Sequence, residues 1–117
     1  MRTSQIKINS ILKSRITTTF AQTLADFKSA KEVEMFLKDF LSDTEVETYS
    51  KRLAVAYWLK KGRSYANIKQ NLKVSSATIA SVQESLNRPG VKLALKKMEA
   101  EEWANVWADK IKRFVGK

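Results

Sequence analysis

Basic residues at positions 60–73 are followed by small, mostly hydroxyl-bearing residues at positions 75–81. The basic residues are Lys60, Lys61, Arg63, Lys69 and Lys73, and the small residues that follow are Ser75, Ser76, Ala77, Thr78 and Ser81. Lysine and arginine bind phosphate oxygens, whereas short side chains approach base edges by hydrogen bonding and van der Waals contact. The pattern therefore predicts non-covalent binding chemistry, in which the cations contact phosphates and the small residues face the bases.

A long supporting helix is predicted immediately before this region. Ser42 is followed three residues later by Glu45, and such a capping box predicts a helix that begins near Asp43. Gly62 can take the positive φ of a helix C-cap, so the helix is expected to end there. Apolar residues cover most of its circumference, which indicates burial on more than one side. We expect a homodimer with interleaved helices; the alternative is the central core helix of a monomer.

A helix-turn-helix is predicted at residues 64–86. Ser64 is expected to cap a short helix, and the chain then turns at Lys73 and Val74. Ser75 or Ser76 is expected to cap a second helix, the candidate recognition helix. Its residues divide into an apolar face and a polar face: Ile79, Val82 and Leu86 against Ala77, Thr78, Ser81 and Glu84. The second set is expected to face outward.

The segment before the supporting helix is predicted to comprise a basic N-terminal arm at residues 1–15 and two helices. The arm is rich in Ser and Thr and poor in acids, which is also typical of a transit peptide; a phosphate-binding arm and a solvated tail both fit. Helices are expected from about Ile16 to Lys28 and, after a capping box at Ser29, up to Leu41. Phe36 and Phe40 are predicted core residues.

After the recognition helix, Pro89 and Gly90 interrupt the pattern, and a long helix is expected from Val91 to Phe114. It carries Trp103 and Trp107 one turn apart, a spacing that favours a core or subunit interface over a ligand site. Residues 16–117 are therefore predicted to form a single all-α domain.

The composition favours an anionic partner and offers few groups for catalysis. The 117 residues carry a net charge of +10 and contain neither Cys nor His, and the pI is about 9.9. The commonest general base and the commonest metal ligands are thus missing, so we expect no enzyme, no cofactor and no metal site. No apolar run is long enough to cross a bilayer, and a cytoplasmic protein without membrane contact is expected.

Several short stretches resemble the Trp repressor family, particularly its YerC/YecD-like branch. They are Leu41 to Glu45, Lys51-Arg52-Leu53, Leu59 to Gly62, Ile68 to Leu72 and Ala77-Thr78-Ile79, within the middle forty per cent or so of the chain. The resemblance implies a Trp-repressor-like, intertwined homodimer whose paired recognition helices enter successive major grooves, and it implies transcriptional repression. Lys69, Ser76, Ala77 and Thr78 match positions that approach DNA in the family.

The family's tryptophan corepressor site is only partly matched. Ser42 and Arg52 correspond to two of its residues and are the candidate effector-pocket residues here. The family's second arginine is replaced by Ser81, and the neighbouring small glycine is replaced by Val82, which is expected to intrude on the space for the ring. Arg52 is interpreted as an ion-pair partner of Glu45 or Glu47. Tryptophan is therefore not expected as the effector, and the identity of any effector is left open.

The sequence thus predicts a regulator that binds double-stranded DNA, with two alternatives from other classes. One is a helical assembly or adaptor protein whose basic surface contacts RNA or an acidic protein, which the Glu84 carboxylate in the recognition helix favours slightly. The other is the DNA-binding part of a replication or transposition enzyme. Asp43, Glu45 and Glu47 do not indicate catalysis, because their position at a helix start is explained by the helix dipole.

Overall fold

The structure, a computed structural model, describes the backbone of residues 8–115 and the side chains of residues 8–102. Within that range it consists of six helices and contains no strand. The helices are α1 Ser10–Asp26, α2 Ala30–Phe40, α3 Asp43–Lys60, α4 Tyr65–Leu72, α5 Ser76–Ser85 and α6 Pro89–Val115. The predicted all-α class is confirmed. Contacts divide the chain into two compact units, Met1–Val46 and Glu47–Lys117.

Helix α1 begins earlier than the sequence pattern predicted. The Asn9 side chain accepts hydrogen bonds from the backbone N–H groups of Ile11 (2.8 Å) and Leu12 (3.4 Å) and caps the helix. Lys13 and Arg15, which we assigned to the N-terminal arm, consequently lie within α1. The apolar spacing did not indicate this start, because it becomes regular only at Ile16. The Asn cap was the signal for the earlier start.

Four phenylalanines form the contacts between α1 and α2 in the first unit. The Phe36 ring is 6.3 Å from that of Phe20, 5.4 Å from that of Phe27 and 4.9 Å from that of Phe40. None of the residues of α1 and α2, all of which are described, is buried. The prediction that Phe36 and Phe40 are core residues was wrong for this chain alone, because Phe36 is only half-buried and Phe40 is 64% exposed.

Helix α3 begins and ends as its sequence signals predicted. Ser42 Oγ accepts a hydrogen bond from the Glu45 N–H (3.1 Å), and the Glu45 carboxylate accepts one from the Ser42 N–H (2.9 Å). At the other end, the Gly62 N–H donates to the Leu59 carbonyl and the Arg63 N–H to the Trp58 carbonyl, both at 3.0 Å. This is the Schellman arrangement, and Gly62 has the φ of +84° that it requires.

The core of the second unit joins four helices. Its buried side chains are Val55 and Ala56 of α3, Ile68 of α4, Ile79 and Val82 of α5 and Leu95 of α6. Val55, Ile68 and Ile79 are fully buried. Half-buried residues such as Trp58, Leu72 and Leu86 surround this cluster. The predicted apolar stripe of the recognition helix is therefore confirmed as the face that fixes α5 to its supporting helix.

Helix α6 begins at Pro89, so Pro89 and Gly90 form its first turn and do not separate it from the preceding segment. Proline is favoured at the first helical position because its fixed φ suits the helix and its missing N–H has no partner there. The side chains of Trp103 and Trp107 lie outside the residues whose side chains are described. Over the described part of the chain, every helix is too short or too polar to cross a bilayer.

Candidate nucleic-acid interface

Helices α4 and α5 form the predicted helix-turn-helix. Ser64 Oγ accepts a hydrogen bond from the Asn67 N–H (3.1 Å) and caps α4. Lys73 ends α4 in the left-handed conformation, with φ of 55°, and its N–H donates to the Lys69 carbonyl. Ser75 then caps α5 by accepting from the Thr78 N–H (3.1 Å). The turn between the two helices therefore comprises only Lys73, Val74 and Ser75.

The residues predicted to face the bases differ in how free their side chains are. Ser76, Ala77 and Ser81 are exposed, whereas Thr78 is half-buried. The Ser75 hydroxyl is exposed but is occupied in capping, and it also donates to Thr78 Oγ1 (3.0 Å). A partner could therefore contact Ser76, Ala77 and Ser81 on the outward surface of α5 without breaking the hydrogen bond that caps the helix.

One of the predicted phosphate-binding residues contacts the recognition helix directly. The Lys69 ammonium on α4 lies 3.5 Å from Ser76 Oγ at the start of α5, and both residues are exposed. An ammonium at this position places positive charge beside the first turn of α5. A phosphate that approached this turn would therefore meet both the Lys69 ammonium and the Ser76 hydroxyl.

The three cations at the end of α3 are engaged within the second unit. Lys60 Nζ is 3.5 Å from Glu99 Oε1, and Lys61 Nζ is 3.4 Å from Glu102 Oε2. The Arg63 guanidinium lies 4.0 Å from the centre of the Trp58 ring and donates a hydrogen bond to Asn67 Oδ1 (3.3 Å). Phosphate contact by Lys60, Lys61 and Arg63 remains a prediction. Each cation would have to bind a phosphate while it also contacts its partner within the chain.

A cavity of about 530 Å³ lies between α3 and the start of α5. Three cations line it: Lys51, Arg52 and Lys73. Four hydroxyl residues, Thr48, Ser75, Thr78 and Ser81, and the smaller apolar residues Val74 and Ala77 complete its wall. None of these described lining residues is acidic. The arrangement can bind an anion by ion pairing and hydrogen bonding, and it offers no nucleophile with an adjacent general base.

Comparison with known proteins agrees with this geometry. The family model described as Trp repressor protein matches residues 15–99, which is most of the chain and includes α4, α5 and the cavity between α3 and α5. The chain belongs to the Trp repressor family. The Trp repressor family is a family of DNA-binding regulators. Among the described residues, no group of three or more acidic side chains is placed to hold a metal ion.

The resemblance to the YerC branch of the Trp repressor family is also supported. An uncharacterized protein, YerC of Bacillus subtilis (strain 168), is 31% identical over 65 residues. The aligned region is 56% of this chain and 62% of the length of YerC. The chain therefore spans less than two thirds of the length of this relative.

The positions of the Trp repressor corepressor site are only partly brought together. Arg52 and Ser81 both line the cavity, whereas Ser42 belongs to the first compact unit. Val82 is 3% exposed, packs into the core and is not among the residues that line the cavity. The expectation that it intrudes on the space for a ring remains a prediction. The effector pocket of Ser42 and Arg52 and the exclusion of tryptophan remain predictions.

Arg52 is more available than the sequence suggested. Glu47 forms an ion pair with Lys51, with Nζ and Oε1 3.1 Å apart. The expected pairing of Arg52 with Glu47 is not found, and among the ion pairs of the described residues none involves Arg52. Arg52 is exposed on the cavity wall. The positive charge of the cavity therefore rests mainly on Arg52 and Lys73, with Lys51 shared between the cavity and Glu47.

Thr48 and Lys51 also line this cavity, although their residue types were not predicted to belong to the site. Together with Arg52 they are spaced three and four residues apart on α3, so they share one face of the helix. That spacing was visible in the sequence. It was overlooked because the apolar residues of α3 dominated the interpretation of this helix.

Proposed function

We propose that this chain is a DNA-binding transcriptional regulator, a repressor, which recognises duplex DNA through α5. The observation that carries the proposal is the arrangement of α5 within the helix-turn-helix. Ile79 and Val82 hold its inner face in the core, and Ser76, Ala77 and Ser81 are exposed on the outside. A short turn fixes α5 relative to α4, as recognition by a helix in the major groove requires.

Base discrimination by this surface is expected to be modest. Serine hydroxyls donate and accept hydrogen bonds and often act through ordered water, which distinguishes bases less sharply than an arginine on guanine. Lys69 and Lys73 beside α5 supply the phosphate contacts that position the helix. Affinity should therefore depend strongly on salt, and sequence preference should be limited to a few positions in each half-site.

The active form is proposed to be a homodimer. Large apolar side chains of the first unit are exposed in the single chain, including Ile11 (67%), Phe40 (64%) and Met35 (59%). Tyr49 and Leu53 of α3 are also exposed, at 53% and 43%. Burial of such residues against a second copy would stabilise both chains by about 25 cal/mol for each Å² of apolar surface removed from water.

Selection from a pool of random duplexes by the purified protein tests the proposal. We expect a two-fold symmetric site with half-sites about one helical turn apart. Retention of bound duplex without enrichment of any sequence would contradict sequence-specific regulation. Addition of L-tryptophan should leave the affinity unchanged, because Ser81 replaces the arginine that the family uses over the ring.

A titration with matched single strands separates this proposal from the adaptor alternative. A duplex-binding protein should bind a selected duplex more tightly than either of its separated strands or an RNA of equal length. Equal or tighter binding of the single strands would support a basic assembly protein instead. The cytoplasmic location predicted from the sequence remains a prediction.

A further inference from the structure

The cavity between α3 and α5 brings two available cations together beside the recognition helix. Arg52 and Lys73 are exposed, approach it from two different elements, and are absent from the ion pairs of the described residues. Lys60 and Lys61 by contrast are paired with acids of α6. An anion near α5 would therefore meet Arg52 and Lys73 without first displacing an internal partner.

The lining chemistry is that of an oxyanion site. The guanidinium of Arg52 presents parallel N–H donors that match two oxygens of a phosphate group, and a lysine ammonium adds a point charge. The Thr48 and Ser81 hydroxyls are exposed on the same wall and can donate further hydrogen bonds. A cationic ligand would find no acidic partner among the described lining residues.

The exposure of the wall favours a phosphate carried by a large partner over a small free ligand. Small-molecule sites bury most of the ligand surface, typically ~70–90% or more, against mainly apolar and aromatic side chains. Here none of the described lining residues is aromatic, and Arg52, Ala77 and Ser81 are all exposed, so a small ligand would stay open to solvent. Ala77 and Ser81 also belong to the outward surface of α5, so a duplex laid against α5 would cover the cavity.

We propose that this cavity receives one backbone phosphate group of the bound duplex, with Arg52 and Lys73 as its cationic ligands. The inference rests on the proposed function, since it names the phosphate contact of the same interface. It assigns Arg52 to DNA binding, whereas the sequence suggested an effector pocket. It also places the main phosphate contact at the start of α5 and not at Lys60 and Lys61.

Matched charge-removal variants test this assignment. Arg52→Gln and Lys73→Asn each remove one positive charge; glutamine suits a helix, and asparagine tolerates the left-handed backbone of residue 73. Lys96→Gln and Lys97→Gln, at exposed positions of α6 that are not assigned to the interface, remove the same charge and serve as controls. Circular dichroism and the urea midpoint would establish that all four variants are folded.

Duplex affinity is then measured as a function of salt concentration. Each cavity variant should bind about tenfold more weakly or worse, on all sequences alike. The slope of log K against log salt should become shallower by about 0.9, which corresponds to the loss of about one phosphate contact. The Lys96 and Lys97 variants should remain within about twofold of the parent protein. If the controls lost as much affinity as the cavity variants, or the cavity variants lost none, the assignment would be overturned while the proposed function stood.

A second arm distinguishes the source of the phosphate. Calorimetric titration of the DNA-free protein with pyrophosphate at low salt should show no saturable binding that depends on Arg52. Saturable binding abolished by Arg52→Gln, together with unchanged duplex affinity, would show a site for a free phosphorylated ligand and overturn the inference. Failure of the parent protein to bind any duplex would overturn both the inference and the proposed function.

Discussion

The Lys60 ammonium at the end of α3 lies 3.5 Å from the Glu99 carboxylate of α6. One residue further along, Lys61 and Glu102 form a second contact between the same helices. These side chains are about half to two thirds removed from water, so each pair adds little stability, about 1 kcal/mol or less. Their larger effect is electrostatic, because two acids of α6 offset two cations close to the recognition helix.

Neutralising these acids should therefore strengthen DNA binding. In the double variant Glu99→Gln with Glu102→Gln, Lys60 and Lys61 become free to contact phosphates. We expect a steeper salt dependence, by up to about two phosphate contacts, and a several-fold rise in affinity for any duplex. Asp39→Asn with Glu101→Gln removes the same charge at two exposed positions, without breaking either pair, and is the control. An equal gain in the control would show an effect of net charge alone.

Loss of the Ile68 side chain should destabilise the second unit severely. Ile68 is fully buried between α3, α5 and α6 residues of the core, so Ile68→Ala would leave a cavity and should cost about 2–5 kcal/mol of unfolding free energy. Leu93→Ala on α6 removes a comparable side chain that is 56% exposed and should cost much less. Urea unfolding measures both, and similar losses would contradict the assignment of the core.

Two glycines should respond to alanine in opposite directions. Gly62 has φ of +84°, a conformation that costs an L-residue about 1–2 kcal/mol, so Gly62→Ala should destabilise by about that amount. Gly90 lies in the first turn of α6 with an ordinary φ, and no atom lies within 4 Å of an added Cβ. Gly90→Ala should be neutral or should stabilise by up to about 1 kcal/mol. Thermal unfolding compares the two, and a stabilised Gly62→Ala would disprove the Schellman cap.

The start of α3 should contribute a pH-dependent stability. The hydrogen bonds that the Glu45 carboxylate accepts from Ser42, chiefly from its backbone N–H, hold the pKa of Glu45 below its usual range. A carboxyl whose folded pKa is depressed stabilises the fold above the unfolded pKa, and the contribution is lost as pH falls through the folded value. The stability difference between the parent and Glu45→Gln should thus shrink below the ordinary glutamate pKa. A difference that was constant down to the acid limit would contradict this.

Removal of an exposed aromatic ring from the first unit should weaken the proposed homodimer. Phe40 is 64% exposed in the single chain although its ring stacks on Phe36. Phe40→Ser is expected to raise the dimer dissociation constant by about tenfold or more, since a buried aromatic anchor contributes at least ~1–2 kcal/mol to an interface. Asp39→Ser, at the neighbouring exposed position, should leave it unchanged. Sedimentation equilibrium measures both, and equal constants would argue against this surface.

Local sequence signals predicted the helix-turn-helix well. Ser64 and Ser75 cap α4 and α5 as expected because a serine hydroxyl satisfies a backbone N–H within its own turn, without help from distant residues. The inward positions Ile79 and Val82 followed from helical periodicity for the same reason. Gly62 was identified because a positive φ is a property of the residue itself.

Features that depend on tertiary contacts were not predictable in the same way. The partners of Lys60 and Lys61 lie on α6, about forty residues further along, and no spacing rule connects them. Phe40 satisfied the core pattern of its helix, yet it is 64% exposed in the single chain.

A few inward side chains attach α5 to the core, so its folding does not depend on which residues occupy its outer face. Ile79 and Val82 are the buried anchors of the helix, and Ser76, Ala77 and Ser81 are exposed outside the core cluster. These three positions could accordingly be randomised together in a library, and most members should fold. The scaffold is thus suited to reprogramming, in which new operators are acquired by exchanging outer residues and the framework is left alone.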